Sequence, residues 1–226
     1  MPAKQVILDQ IRQQGVLPLF YHNDVTISIG VLRALYAAGI RTVEYTNRGE
    51  AALANFRAMR KCCEAEMKDM FLGVGTIKDA AAAISFIEAG CDYLISPGLV
   101  PNVVEIADEN NLTWIPGCMT PTEIIAAESM GAKLVKLFPG NILGPGYMAA
   151  IKDIFPDLLF MPTGGVEPTE ESIAAWFGAG ICAVGMGSKL ITQAIMQNKE
   201  YEKLTADTQR IIAISQACKK QNASYE

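Results

Sequence analysis

The sequence predicts an α/β protein, and within that class a (β/α)8 TIM barrel preceded by one extra N-terminal helix. Short apolar runs that end in Gly, Pro, Thr or Ser recur eight times along the chain, at a spacing of roughly 21 to 29 residues. Each run is followed by a segment with helical spacing of its apolar residues, often rich in alanine. A chain of 226 residues is long enough for one such barrel, so we expect a single domain over residues 1–226.

The predicted elements alternate between strand and helix from one end of the chain to the other. Residues 2–14 form the extra helix, and residues 201–219 form the last, amphipathic helix. The eight strands begin near Val16, Thr42, Phe71, Asp92, Thr113, Leu134, Leu158 and Ile181. This alternation argues against a sandwich of hairpins, in which turns would join the strands directly.

Start and stop signals mark the helices between these strands. Thr120-Pro121-Thr122-Glu123 predicts a capping box, with a Thr cap and a proline at the first helical position. Helix ends are indicated by glycines that stand just before strands, at Gly39, Gly90, Gly131 and Gly180. The Gly/Pro-rich residues 139–146, after the sixth strand, predict a mobile loop at the active site.

A doubly wound open sheet would show the same alternation of strand and helix. Its first strand usually leads into a Gly-rich loop that binds a dinucleotide, whereas Val16–Phe20 runs into Tyr21-His22-Asn23-Asp24 here. The barrel is therefore the better prediction.

Composition excludes several classes of function. The net charge of −5 and the absence of a Lys/Arg-rich run argue against nucleic-acid binding. No stretch approaches about 18 uninterrupted apolar residues, so we expect no membrane association. Cysteines without C-x-x-C spacing suggest a reducing compartment, which we take to be the cytoplasm. They stand at Cys62, Cys63, Cys91, Cys118, Cys182 and Cys218.

Polar side chains stand in two of the strands, near the ends where barrels place catalytic groups. In the second strand, Glu44, Thr46 and Arg48 share one parity, so an acid, a hydroxyl and a guanidinium face the same way. In the sixth strand, Lys136 lies between Leu134-Val135 and Leu137-Phe138, an apolar setting for a cation. These side chains are the candidates for chemistry.

A lysine in apolar surroundings is a candidate amine nucleophile. Attack on a ketone requires the neutral amine, which burial and the charge of Arg48 favour and the carboxylate of Glu44 opposes. We predict that Lys136 forms an iminium with a small 2-keto acid and that Glu44 moves protons. Arg48 and Thr76 would hold the substrate carboxylate. We expect no cofactor and no metal, since the chain has one histidine and no clustered Cys/His ligands.

Two glycine-rich loops are candidates for phosphate binding. Thr163-Gly164-Gly165 ends the seventh strand, and Gly185-Met186-Gly187-Ser188 ends the eighth. Loops after these two strands often bind phosphate through backbone N–H groups in barrels. We therefore predict that these two loops together form a phosphate site.

Each assignment has a structural alternative that the sequence leaves open. Lys136 could be a salt-bridged lysine, and Glu44 and Arg48 could form an internal ion pair. Thr76-Ile77-Lys78-Asp79 also fits a capping box, and the glycines could serve only tight turns. His22, the only histidine, is expected on a surface loop, with substrate contact as the lesser alternative.

The chain resembles the 2-keto-3-deoxy-6-phosphogluconate/4-hydroxy-2-oxoglutarate (KDPG/KHG) aldolases, which are metal-independent class I aldolases with a (β/α)8 fold. The resemblance covers most of the chain, and its motifs stand in the family's order and approximate spacing. They are Val43-Glu44-Tyr45-Thr46-Asn47-Arg48, Gly73-Val74-Gly75-Thr76, Ile95-Ser96-Pro97-Gly98, Ile115-Pro116-Gly117, Val135-Lys136-Leu137-Phe138-Pro139, Pro162-Thr163-Gly164-Gly165 and Gly185-Met186-Gly187-Ser188.

The resemblance implies a role for each matching position. Lys136 forms the Schiff base, Glu44 is the proton shuttle, and Arg48 and Thr76 hold the pyruvate carboxylate. Pro97 and Phe138 wall the pocket. The phosphate site falls at Gly164, Gly165, Gly187 and Ser188, and the oligomer is a homotrimer.

Three departures from the family pattern concern the far half of the substrate. Asn47 replaces an apolar residue, Lys189 replaces a bulky apolar one, and Phe20-Tyr21-His22 replaces aliphatic or basic residues. Two alternatives stay open at this point. One is a related phosphosugar barrel, such as an epimerase or a 2-keto-3-deoxy-6-phosphogalactonate aldolase, and the other is a non-catalytic phosphosugar-binding barrel.

Overall fold

The computed structural model describes residues 4–222. The predicted start of the first helix at residue 2 and both ends of the predicted domain lie outside the described residues. The strands are β1 (Val16–Phe20), β2 (Thr42–Thr46), β3 (Phe71–Gly75), β4 (Tyr93–Ile95), β5 (Thr113–Ile115), β6 (Gly117–Cys118), β7 (Leu134–Leu137), β8 (Leu159–Pro162) and β9 (Val184–Met186). The α-helices are α1 (Lys4–Gln14), α2 (Val25–Ala37), α3 (Ala52–Glu66), α4 (Ala80–Glu88), α5 (Pro101–Glu109), α6 (Pro121–Ser129), α7 (Gly140–Ile151), α8 (Glu170–Gly178), α9 (Gln193–Asn198) and α10 (Tyr201–Asn222).

Within residues 4–222, the strands form two parallel sheets. One has six strands in the order β5-β4-β3-β2-β1-β9, and the other has three in the order β6-β7-β8. In the register, Glu44 stands opposite Leu19 of β1 and Gly73 of β3, and Lys136 stands opposite Met161 of β8. Every strand pair is parallel, and covering by helices explains why β1 and β2 are buried at every position. The α/β class with a curled parallel sheet is confirmed.

The fifth predicted strand is divided in two. Pro116 interrupts it, since proline has no N–H to donate to a ladder, and β5 ends before it while β6 begins after it. The carbonyl oxygen of Pro116 nevertheless accepts a hydrogen bond from the N–H of Lys136 at 2.9 Å. The two sheets also meet along their other edges, where Thr163 and Gly185 form a parallel bridge.

Local signals for the helices hold where the structure describes them. The capping box is present, because the hydroxyl of Thr120 accepts from the N–H of Glu123 and the Glu123 carboxylate accepts from the N–H of Thr120. Such a cap contributes about 1 kcal/mol to stability. Gly131 follows α6 with a φ of 86°, the left-handed conformation that ends a helix.

The prediction of a mobile loop at residues 139–146 is wrong. This segment begins α7, whose first turn is closed by the N–H groups of Ile142 and Leu143 donating to the carbonyl oxygen of Pro139. Gly144, with a φ of 73°, and Pro145 kink the helix instead of breaking the segment into a loop. The Gly/Pro content was therefore a signal for a kink.

An apolar cluster fills the inside of the curled sheet and closes its N-terminal end. Ile7, Leu8 and Ile11 of α1 belong to this cluster together with strand residues such as Leu17 and Met161. Because α1 covers the side where the strands begin, polar chemistry is left to the side where they end. No helix within residues 4–222 is both long and apolar enough to cross a membrane.

Candidate active site

Lys136 and Glu44 meet in the interior. Nζ of Lys136, on β7, lies 3.3 Å from Oε1 and 3.4 Å from Oε2 of Glu44, on β2. The exposed fractions of the two side chains are 7% and 1%, so both groups are removed from solvent. The structure thus brings together the two residues that the sequence predicted to be catalytic.

This contact excludes one structural alternative for Glu44, and it matches the alternative of a salt-bridged lysine for Lys136. Within residues 4–222, the carboxylate of Glu44 forms an ion pair with Lys136 and none with Arg48, so the alternative of an internal Glu44–Arg48 pair is wrong. A buried carboxylate at this distance can accept a proton from the lysine or return one. The ring centre of Phe138 lies 5.6 Å from Nζ of Lys136, which gives the amine an aromatic neighbour.

Tyr93 lies near Glu44 but has its own hydrogen bonds. Its hydroxyl donates to the carbonyl oxygen of Val43 at 2.8 Å and accepts from the hydroxyl of Thr42 at 2.9 Å. Burial raises the pKa of Tyr93 well above its usual value, and the carboxylate of Glu44 acts in the same direction, while the Thr42 hydroxyl opposes it. Tyr93 is therefore a neutral phenol whose hydroxyl is already engaged in structural hydrogen bonds.

Arg48 lies beyond the end of β2 and is exposed. Its backbone N–H donates to the carbonyl oxygen of Thr46 at 2.9 Å, but its guanidinium donates no hydrogen bond within residues 4–222. The side chain lines two adjoining pockets at the carboxyl ends of the strands. It is therefore placed to receive an anion that is not part of the described chain.

Thr76 follows β3 in an uncommon conformation. Its φ of 63° is left-handed, which a β-branched residue adopts at a cost of about 1–3 kcal/mol. The capping-box alternative for Thr76 is wrong, because Asp79 caps α4 and accepts from the N–H of Ala82 at 2.8 Å. Neither the N–H nor the hydroxyl of Thr76 has a hydrogen-bond partner within the described chain.

The glycine-rich loops line one pocket together with Arg48 and Phe138. Gly164 and Gly165 have φ values of 95° and 71°, which non-glycine residues rarely adopt. Among residues 4–222, no hydrogen bond engages the N–H groups of Gly164, Gly165 or Ser188. Free N–H groups from two loops that face one pocket form a suitable anion site.

Lys189 also lines this pocket, but its charge is already paired. Its Nζ lies 2.7 Å from Oε1 of Glu167, and both side chains are about half exposed. An exposed pair of this kind contributes little to stability, so the ammonium can exchange Glu167 for a stronger anion.

A second pocket shares Arg48 and Ser188 with the first and extends toward Tyr21 and Met196. His22 lines neither pocket. Its Nδ1 accepts from the N–H of Asp24 at 3.0 Å, and its carbonyl oxygen accepts from the hydroxyl of Tyr45 at 2.8 Å. The expectation of a loop residue holds for His22.

Pro97 is not brought to the same place as Phe138. It is half-buried after β4, and it lines neither pocket. Its carbonyl oxygen instead approaches Gly117, where an added Cβ would lie 2.4 Å away.

Thr163 is a residue to which the sequence assigned no role. It is buried in the glycine-loop pocket, and its hydroxyl has no hydrogen-bond partner within residues 4–222. A buried hydroxyl without a partner costs free energy. Only its place in Pro162-Thr163-Gly164-Gly165 could have drawn attention to it. Within residues 4–222, no cluster of His, Cys, Asp and Glu has a metal-binding arrangement.

A lysine buried beside a carboxylate within a parallel α/β fold is typical of one class of enzyme, the lysine-dependent carbon–carbon lyases. Residues 7–207 match the family model described as KDPG and KHG aldolase. The chain belongs to this family.

Relatives agree with this assignment over most of the chain. A 2-dehydro-3-deoxy-phosphogluconate aldolase from Pseudoalteromonas atlantica is 34% identical over 164 residues, which cover 71% of this chain and 74% of the relative. A KHG/KDPG aldolase from Escherichia coli K12 is 30% identical over 84% of this chain and 87% of the relative. The crystal structure of the 2-keto-3-deoxy-6-phosphogluconate aldolase of Zymomonas mobilis ZM4 with 3-phosphoglycerate is similar with a TM-score of 0.82 and 26% identity, over 94% of this chain and 97% of that chain.

Proposed function

We propose that this protein is a class I aldolase that cleaves 2-keto-3-deoxy-6-phosphogluconate to pyruvate and glyceraldehyde 3-phosphate, 4-hydroxy-2-oxoglutarate to pyruvate and glyoxylate, or both. The observation that carries the proposal is the buried contact between Nζ of Lys136 and Oε1 of Glu44, 3.3 Å apart, in a member of this family. Lys136 is the nucleophile, and Glu44 is the proton shuttle.

The reaction begins with transfer of a proton from the lysine ammonium to Glu44, which leaves a neutral amine. The amine of Lys136 attacks the 2-keto carbon and forms a carbinolamine. Glu44 then donates a proton to the departing hydroxyl, so that water leaves and an iminium remains. The ion pair explains why the buried charges of Lys136 and Glu44 are tolerated before substrate binds.

Cleavage uses the iminium as an electron sink. Glu44 accepts the proton of the hydroxyl on the fourth carbon, the bond between the third and fourth carbons breaks, and its electron pair moves to form an enamine on Lys136. The aldehyde leaves at this step. Glu44 returns the proton to the third carbon, and water releases pyruvate by hydrolysis of the iminium.

Arg48 and Thr76 bind the substrate carboxylate in this proposal. The free guanidinium of Arg48 offers two parallel N–H donors, and the free N–H and hydroxyl of Thr76 add further donors. The left-handed backbone of Thr76 is the kind of strain that folds retain at functional positions. Phe138 walls the pocket beside the amine, whereas Pro97 lines neither of the two pockets described above.

The terminal phosphate binds at Gly164, Gly165, Gly187 and Ser188. Support comes from the unpaired N–H groups of both loops and from their shared pocket. The turn after β9 is closed by the N–H of Ile191 donating to the carbonyl oxygen of Gly187, and Gly187 and Ser188 at its start line the same pocket.

We further propose that the two sheets close into one (β/α)8 barrel that forms a single domain. The parallel bridge between Thr163 and Gly185 supports closure on one side, and the N–H of Gly117 donating to the carbonyl oxygen of Ser96 at 2.9 Å supports it on the other. β5 and β6 then count as one strand bent at Pro116.

A homotrimer without cofactor is the assembly that we propose. Large apolar side chains are exposed on two consecutive helices, Ile125 on α6 and Ile142 on α7, and such side chains would suit a contact with another copy. The free cysteines support a reducing compartment, the cytoplasm, as the location. Analytical ultracentrifugation tests the trimer.

A pyruvate-release assay tests the function. The panel comprises 2-keto-3-deoxy-6-phosphogluconate, its unphosphorylated form, 4-hydroxy-2-oxoglutarate and 2-keto-3-deoxy-6-phosphogalactonate. Release from the phosphogluconate or the oxoglutarate supports the proposal, and release from the phosphogalactonate alone favours the alternative aldolase. No release from any of the four would leave a non-catalytic phosphosugar-binding barrel.

A further inference from the structure

Two glycines of β3 leave room for side chains that come from other strands. Gly73 and Gly75 lie on the same face of β3. Leu72 and Val74 lie on the other face, which is buried in the core against the helices. A Cβ added to Gly73 would lie 2.1 Å from the ring of Tyr93, and a Cβ added to Gly75 would lie 1.7 Å from Oε1 of Glu44. Both distances are far below van der Waals contact, so the space beside each glycine is already occupied by another side chain.

The requirement for glycine at position 75 is one of volume. Its φ is not in the left-handed region, so the backbone itself would accept any L residue. Cδ and Cγ of Glu44 would also lie only 2.5 and 2.7 Å from a Cβ at this position. The carboxylate of Glu44 therefore rests directly against the backbone of Gly75.

The oxygen that rests on Gly75 is one of the two that approach the lysine. Oε1 of Glu44 lies 3.3 Å from Nζ of Lys136, against 3.4 Å for Oε2. The side chain of Glu44 is 1% exposed, so no open solvent is available into which it could move. A methyl group at position 75 must push the carboxylate away from its present position relative to Lys136.

On the basis of the proposed function, we propose that Gly75 is a positioning residue, which sets the distance between the Glu44 carboxylate and the Lys136 amine by lacking a side chain. Gly75 has no side chain with which to take part in the reaction itself. Its effect on the reaction passes through Glu44, and a change at Gly75 should alter the proton-transfer steps more than substrate binding.

Three alanine variants test this. Gly75→Ala should lower kcat by at least ~10-fold with little change in KM, because displacing a catalytic group by about 1 Å can cost ~10²-fold. Gly73→Ala adds a methyl group at another position of β3, where it crowds Tyr93 of β4. This variant controls for overpacking in general, and its kcat should fall less than that of Gly75→Ala. Gly178→Ala, at the end of α8 with open space around it, should change neither parameter.

A compensating change makes the link to Glu44 specific. Glu44→Asp shortens the side chain by one methylene group and should free the space that the methyl of Gly75→Ala needs. We expect the double variant to lose less, in both kcat and thermal stability, than the two single losses combined. Strict additivity, or a folded Gly75→Ala enzyme with the starting kcat, would overturn the inference.

The stability measurements keep the inference separate from the proposed function. If the unchanged protein releases no pyruvate from any substrate, the proposed function fails, while the coupling between positions 75 and 44 in thermal unfolding still reports on their contact. If Gly75→Ala does not fold, recovery of folded protein in the double variant supports the contact. Failure of the double variant to recover would refute it.

Discussion

Lys136 and Glu44 touch although their strands belong to different sheets. They are 92 residues apart in the chain, and β7 and β2 share no ladder hydrogen bonds, yet Nζ and Oε1 lie 3.3 Å apart. The contact therefore crosses the interior of the curled sheet. In the proposed mechanism a proton passes between these two side chains, while the ends of the strands stay open to substrate.

Borohydride in the presence of pyruvate should trap a covalent adduct on Lys136, because reduction makes the iminium permanent. Mass spectrometry of peptides locates the modified residue. Lys136→Met should abolish the adduct, whereas Lys133→Met, which removes an exposed lysine three positions earlier, should leave it in place. An adduct on another lysine, or none, would exclude the proposed nucleophile.

Glu44→Gln should lower turnover by ~10²-fold or more, as is typical when general acid–base help is lost. Slow trapping by borohydride should persist, since the amine of Lys136 is still present. Stopped assays of pyruvate release measure the first effect and mass spectrometry the second. Glu105→Gln, on the exposed face of α5, is the control for loss of a carboxylate. A normal rate in Glu44→Gln would assign Glu44 a structural role.

Some features of the fold and the site could be predicted from the sequence, and others could not. Glu44 and Lys136 were recognisable because a charged residue in an apolar strand is unusual, and the alternation of strands and helices has a local signal. The break at Pro116 and the kink at Gly144 depend on which backbone N–H groups form hydrogen bonds in the folded chain. Gly75 gave no signal of its own role, because the side chain that fills its space comes from another strand.

Arg48→Lys should raise KM for the keto acid by ~10-fold or more while kcat changes less, because a point charge cannot reproduce two parallel hydrogen bonds to a carboxylate. Steady-state kinetics separates the two parameters. Arg57→Lys changes an exposed arginine on α3 and should leave both unchanged. If KM is the same in Arg48→Lys, the carboxylate binds elsewhere.

Thr163→Val should separate stability from activity. The Thr163 hydroxyl is buried without a partner in the described chain, so an apolar group of similar shape should leave the unfolding temperature unchanged or raise it. If substrate supplies the missing partner, kcat/KM should fall by ~10-fold. Thr208→Val is a matched control, because its hydroxyl is also buried and unpartnered but lies on α10, outside the pocket. Loss of activity in both variants would count against a role for Thr163 with substrate.

Ser188→Asp tests the phosphate site by placing a like charge among its donors. The N–H groups of Gly164, Gly165 and Ser188 are unpaired in the described chain and face one pocket, as a site for a dianion requires. The added carboxylate should repel a terminal phosphate and compete with it for these N–H groups. Ser188→Ala removes the hydroxyl without adding charge, so it separates repulsion from loss of one donor.

In the proposed site the phosphate contacts lie away from the reacting carbons, so their loss should weaken binding of one substrate class without disabling Lys136 and Glu44. In Ser188→Asp, kcat/KM for 2-keto-3-deoxy-6-phosphogluconate should fall by at least ~10-fold, with a much smaller loss for 4-hydroxy-2-oxoglutarate. Parallel kinetics on both substrates measures the difference. Equal losses, or faster turnover of the unphosphorylated acid by the unchanged enzyme, would mean that the glycine loops serve only as turns. The far end of the substrate would then bind in the second pocket, between Arg48 and Tyr21.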